Sequence, residues 1–226
     1  MADATGETEA AGRASDRPEV EVSIGALGLA GTLVHPAVGQ GIVLFAHGSG
    51  SSRLSPRNRL VAERLRGSGL GTLLFDLLRP EEAANRANVF DISLLAERLA
   101  LATDWLRSQE LRDAPIGYFG ASTGAGAALV AETLTQHRIA AVVSRGGRPD
   151  LAGPALPRVR APTLLIVGGD DHGVIELNEE ALEQLTCEKH LAIVPGAGHL
   201  FEEPGTLDQV IRLARDWFVP RLRQGG

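Results

Sequence analysis

The chain is poor in the residues that build special-purpose sites. Cys187 is the single cysteine among 226 residues, which excludes an intrachain disulfide and any multi-cysteine zinc or iron-sulfur centre. That usage suits a reducing, cytoplasmic setting. Lysine and arginine number 22 against 28 aspartates and glutamates, for a net charge of -6. With no basic excess to meet a phosphate backbone, nucleic acid is not an expected partner. No apolar run approaches the ~20 residues that cross a bilayer, so no membrane is expected either. Residues 1–18 are small and polar, without the basic start and apolar stretch of a secretory signal, and read as a disordered tail. No internal repeat with a period of about 20 to 50 residues is visible.

What remains is an ordinary globular composition, with 44% hydrophobic and 22% charged residues. At roughly 100 to 200 residues per domain, the length suggests one domain over residues 19–226. Short apolar runs alternate with longer amphipathic ones, the pattern of βα units feeding a mostly parallel sheet. The strand candidates are Val20–Ile24, Leu29–Val34, Ile42–Ala46, Gly71–Phe75, Ile116–Phe119, Ile139–Ser144, Thr163–Val167 and Leu191–Val194. The first two, separated by Gly25-Ala26-Leu27-Gly28, should pair antiparallel. Ser55-Pro56 reads as an N-cap followed by proline at the first helical position, with Leu60, Val61 and Leu65 on the buried face. Ile92, Leu95, Leu99, Ala102 and Leu106 recur at helical spacing, as do Leu207, Val210, Ile211, Ala214 and Phe218.

The chemistry-bearing residues follow strands. Gly120-Ala121-Ser122-Thr123-Gly124 lies between the run Ile116–Phe119 and an alanine-rich helical run. This is the strand-turn-helix context of a G-x-S-x-G nucleophile elbow, and it makes Ser122 the candidate nucleophile. The pentapeptide alone fits a tight Ser/Gly turn equally well, so further residues must decide. A serine hydroxyl needs an imidazole to take its proton and a carboxylate to orient that imidazole. Gly168-Gly169-Asp170-Asp171-His172 follows one strand candidate and Pro195-Gly196-Ala197-Gly198-His199 follows another. In a parallel sheet the carboxyl ends of strands share one edge, where these groups can meet. Asp170 and Asp171 compete for the acid role, the spacing from Gly168 favouring Asp171. His199 is preferred as base because His172 is bonded directly to Asp171, whereas the base must come from a separate, facing loop.

His47-Gly48-Ser49-Gly50 follows another strand, and its backbone N–H groups suit a developing oxyanion. The expected donors are the N–H groups of Ser49 and Thr123, with His47 structural. A nucleotide-binding reading of this loop is disfavoured, since no Gly-Lys-Ser/Thr follows and Arg53 stands where G-x-G-x-x-G needs its last glycine. Arg145, at the end of the strand candidate Ile139–Ser144, is a candidate for binding a substrate carboxylate. The alternative is that Arg145 and Arg148 hold the loop through Asp150 or backbone carbonyls. Cys187 precedes the last strand candidate and reads as a packing residue.

Taken together, IVLFAHGSGSS (42–52), GYFGASTGAG (117–126), LLIVGGDD (164–171) and GAGHLFEEP (196–204) resemble the α/β-hydrolases, and more closely their dienelactone hydrolase branch. The resemblance spans about residues 22–221 and implies an α/β-hydrolase fold, a mostly parallel sheet of roughly eight strands flanked by helices. The segment 145–162 is too short and Gly/Pro-rich for a substantial lid. Well-known dienelactone hydrolases carry cysteine at the elbow where this chain has Ser122, which turns the expectation toward a serine hydrolase of small carboxylic esters, lactones or thioesters. Acyl transfer or perhydrolysis on the same triad, and a catalytically silent ligand-binding module, stay open. No metal or organic cofactor is expected, and the chain should be a monomer or homodimer.

Overall fold

The computed structural model describes residues 17–224. Eight strands, β1 (Val20–Ile24), β2 (Leu29–Val34), β3 (Ile42–Ala46), β4 (Gly71–Phe75), β5 (Ile116–Ala121), β6 (Ile139–Arg145), β7 (Thr163–Gly168) and β8 (Lys189–Val194), form one sheet in the order β1-β2-β4-β3-β5-β6-β7-β8. β1 and β2 form an antiparallel pair and β2 joins β4 antiparallel; all remaining neighbours are parallel. The helices are α1 (Pro56–Arg66), the short α2 (Pro80–Ala83) and α3 (Arg86–Phe90), α4 (Ile92–Arg107), α5 (Thr123–Leu134), α6 (His172–Gln184) and α7 (Thr206–Arg221).

The central strands read as unbroken apolar runs because both faces are covered. Alternation along β3 divides them. Ile42, Leu44 and Ala46 face a core shared with Leu95, Leu99 and Leu106 of α4 and Ala127 and Ala128 of α5. Val43 and Phe45 face the opposite core, with Val61 and Leu65 of α1 and Val210 and Phe218 of α7. Helix starts follow local chemistry. The Ser55 hydroxyl accepts the Asn58 N–H at 3.4 Å with Pro56 at the first position, and Asp91 accepts the Leu94 N–H at 3.0 Å to start α4.

Strand order reverses at the centre of the sheet. From β3 the chain goes to β4 on one side and then returns to β5 on the other, so a crevice opens beyond the carboxyl ends of β3 and β5. Between β6 and β7 the chain forms only a 3₁₀ segment, Pro149–Arg158, with prolines 154 and 157 inside it. Nothing resembling a lid domain rises there, as the sequence suggested.

Most of the expected tail, residues 1–16, lies outside the described residues. Its boundary needs moving. Arg17 donates to the carbonyls of His35, Gly69, Arg66 and Leu70 at 2.6 to 3.1 Å, so this residue belongs to the folded domain rather than to a tail ending at residue 18. No helix among the described residues is long and apolar enough to cross a membrane.

Candidate active site

Ser122 sits at the turn from β5 into α5 with φ 51° and ψ -125°, a conformation that L-residues avoid. The two flanking glycines make the turn possible. A Cβ on Gly120 would stand 2.5 Å from the Ala125 Cα, and one on Gly124 would stand 2.2 Å from the Ala46 carbonyl oxygen. Strand, helix and the end of β3 therefore close on one another only with glycine at both positions. This is the strained elbow that the pentapeptide suggested.

Asp171 and His199 come from the loops after β7 and β8. The two loops are tied together by the Asp170 N–H, which donates to the Ala197 carbonyl at 3.0 Å. His199 Nδ1–H donates to Asp171 Oδ2 at 2.7 Å, so the proton sits on Nδ1 and Nε2 is left basic. Of the competing carboxylates the structure joins Asp171 to the imidazole and leaves Asp170 exposed. His172 is exposed at the start of α6. Ser122 and His199 line one cavity of about 600 Å³, together with Ser49, Arg57, Asn58 and Arg145. No hydrogen bond joins the serine hydroxyl to the imidazole in this geometry. Such bonds often tighten only when substrate is bound.

His47 is held in the fold through both ring nitrogens. Its Nε2 accepts the Leu77 N–H at 3.2 Å and its Nδ1–H donates to the Gly48 carbonyl at 3.1 Å, while burial lowers its pKa and keeps it neutral. It holds the loop 47–52 against the turn after β4. Beyond that loop lies a second, apolar cavity of about 350 Å³, whose wall includes Ala30, Leu78, Val89 and Leu95.

Of the two backbone N–H groups expected to face an oxyanion, that of Ser49 donates to the Thr123 hydroxyl oxygen at 2.9 Å. This contact joins residues 74 apart, which the motif does not disclose.

Arg145, the last residue of β6, and Arg148, in the loop beyond it, have different partners. Arg148 forms a two-point pair with Asp150 at 2.8 and 2.7 Å and holds the 3₁₀ segment. Arg145 does not share it; its Nη2 donates to Asn58 Oδ1 at 3.1 Å and its guanidinium lies 5.9 Å from the centre of the Phe201 ring. Burial, followed by repulsion from Arg57, pulls its pKa down to about 10. It remains charged at neutral pH. Cys187, half-buried and 3.8 Å from the Thr163 hydroxyl, has its thiol pKa raised by burial, which disfavours a reactive thiolate.

Among solved structures, a dienelactone hydrolase from Anabaena variabilis is 58% identical, superposes with a TM-score of 0.87, and is matched over 92% of this chain and 98% of that one. The chain belongs to the α/β-hydrolase superfamily, in its dienelactone hydrolase-like family. A lidless α/β serine hydrolase from Xanthomonas campestris shares the fold at 20% identity and a TM-score of 0.71, over 93% of this chain and 96% of that one. Two Mycobacterium tuberculosis proteins, each named "Putative phosphoribosyl transferase", are 61% identical over 205 residues, 90% of this chain and 46% of theirs. The chain thus spans about half the length of these curated relatives. No protein-family model matches it.

Proposed function

We propose that this α/β-hydrolase is a serine-dependent carboxylic ester hydrolase acting on a small molecule. The observation that carries the reading is the 2.7 Å Asp171–His199 pair lining one cavity with a serine held at φ 51°. Ser122 Oγ attacks the acyl carbonyl carbon as His199 Nε2 takes its proton. The ester C–O bond then breaks and the imidazolium returns that proton to the leaving alkoxide. Water, deprotonated by the same nitrogen, attacks the acyl-enzyme and releases the acid and the free serine. Asp171 holds the tautomer that keeps Nε2 basic and stabilises the imidazolium.

The Thr123 N–H stabilises the oxyanion from the start. The Ser49 N–H joins it once the Thr123 hydroxyl turns away. Arg145 is the candidate substrate-binding group, reaching the polar part of the substrate from the cavity wall. Phosphoribosyl transfer is not part of this proposal, since the shared span is less than half of the mycobacterial proteins and the residues gathered here serve acyl chemistry. A cytoplasmic setting agrees with the single, half-buried thiol.

Turnover of p-nitrophenyl acetate and butyrate tests the reading. The natural chain should hydrolyse both, and Ser122→Ala should lose that turnover. Hydrolysis that persists in Ser122→Ala would overturn it.

A further inference from the structure

Arg145 ends β6 with 6% of its surface exposed, and no carboxylate among the described residues pairs with it. Its polar partner is the neutral amide oxygen of Asn58, and its Nε has no hydrogen-bond partner among the described residues. A buried cation with no counter-ion is costly, and a fold that keeps one beside its nucleophile leaves the opposite charge to be brought by a ligand. The guanidinium lines the cavity that contains Ser122 and His199.

The wall next to it adds to the positive potential. It is the start of α1, where Ser55, Pro56, Arg57 and Asn58 line the same cavity. This eleven-residue helix brings the positive end of its dipole there. Ser55 already accepts the Asn58 N–H and Pro56 has none to give, so the Arg57 N–H remains as the uncapped donor of the first turn. Because the Asn58 amide oxygen is taken by Arg145, its N–H₂ group is also left to donate. The Arg57 guanidinium, shared at the rim with Glu202 at 2.9 Å, is close enough to depress the pKa of Arg145.

Position assigns this cluster to one side of the reaction. Arg145 lies against Phe201, two residues after His199, and its neighbour Gly146 is so close that a Cβ there would stand 2.8 Å from the His199 carbonyl. His199 protonates the departing alkoxide, so the group beside it belongs to the alcohol half of the ester. Donors that converge from a guanidinium, an amide and a helix start suit a tetrahedral dianion better than a planar carboxylate, which would meet the guanidinium edge and leave the others unpaired.

We propose that Arg145, Asn58 and the start of α1 form a phosphoryl subsite, so that the ester hydrolysed is that of a phosphorylated alcohol. The proposal rests on the serine-hydrolase reading and names the substrate class for it. The products are then a carboxylic acid and the phosphorylated alcohol, with the phosphate itself untouched. The sequence pointed away from phosphate because it offered no lysine after the glycines. The structure supplies the cation from β6 and the helix start from α1, 87 residues apart.

The test compares acetylglycerol 3-phosphate with acetylglycerol, which share one ester and differ by the phosphate. In the natural chain kcat/KM should favour the phosphorylated ester by about 10- to 100-fold. Arg145→Gln should bring the ratio near one, and Arg145→Lys should restore part of it. A ratio near one in the natural chain, or one unchanged in Arg145→Gln, would overturn the subsite. Inorganic phosphate binding by calorimetry gives a readout independent of catalysis and of the acyl group. It should be measurable in the natural chain and in Ser122→Ala, and lost in Arg145→Gln that retains the native circular dichroism spectrum. If Arg145→Gln does not fold, Arg57→Gln should weaken phosphate binding several-fold, and unchanged binding there would count against the site. Succinate binding without phosphate binding would replace the phosphoryl assignment with a carboxylate one. Loss of p-nitrophenyl butyrate turnover in Ser122→Ala decides the hydrolase reading separately, whatever the phosphate preference.

Discussion

At the scale of single residues, the neighbouring carboxylates Asp170 and Asp171 give the sharpest contrast. Asp171 Oδ2 accepts from the imidazole, whereas Asp170 contributes only its backbone N–H to the facing loop and is exposed. Asp171→Asn should therefore lower kcat for p-nitrophenyl butyrate by about 10³- to 10⁴-fold through loss of the productive tautomer. Asp170→Asn should stay within about two-fold, since an exposed polar exchange disturbs neither bond. Equal losses in both variants would contradict this division. Thr123 carries a less intuitive expectation. Its hydroxyl engages the Ser49 N–H, so Thr123→Val, which removes the acceptor and keeps the shape, should raise kcat a few-fold by leaving that donor to the oxyanion. A tenfold fall would mean that the hydroxyl holds the loop in place instead. The sequence could place Ser122, Asp171 and His199 at one edge of the sheet because each follows a strand. It could not disclose the Thr123–Ser49 bond or the Asn58–Arg145 bond, which depend on side-chain reach across the closed crevice.

At the scale of elements, the sheet was legible nearly to its ends. β1 to β4 match the expected runs residue for residue, because β-branched and leucine-rich stretches are bounded there by glycine and proline. β5, β6 and β7 run one or two residues further than expected, and these extra residues carry the strands into the elbow, Arg145 and Gly168. Helix α6 went unread. Only Asn178 and Ala181 are fully buried in it, so no apolar stripe announces it, and it begins directly after Asp171. α2 and α3 are single turns, too short for a period to show. The joint between β5 and α5 also makes a stability prediction. Gly124→Ala drives a Cβ to 2.2 Å from the Ala46 carbonyl, where backbone rather than a side chain must yield. Destabilisation of at least about 1–3 kcal/mol by urea denaturation is expected. A change below about 0.5 kcal/mol would show that the close approach is not rigid.

At the scale of the whole molecule, strand order and function are linked. The reversal at β3 and β5 opens the crevice, the two loops after β7 and β8 bring Asp171 and His199 to it, and the short 3₁₀ segment leaves it without a cap. All the groups named for the proposed chemistry fall within the described residues 17–224. The most direct measurement of the central claim is the intact mass of the protein after exposure to a fluorophosphonate, on the natural chain and on Ser122→Ala. One adduct on the natural chain and none on Ser122→Ala is the predicted result. No adduct on the folded natural chain, or one that survives in Ser122→Ala, would contradict the assignment of Ser122 as an activated nucleophile.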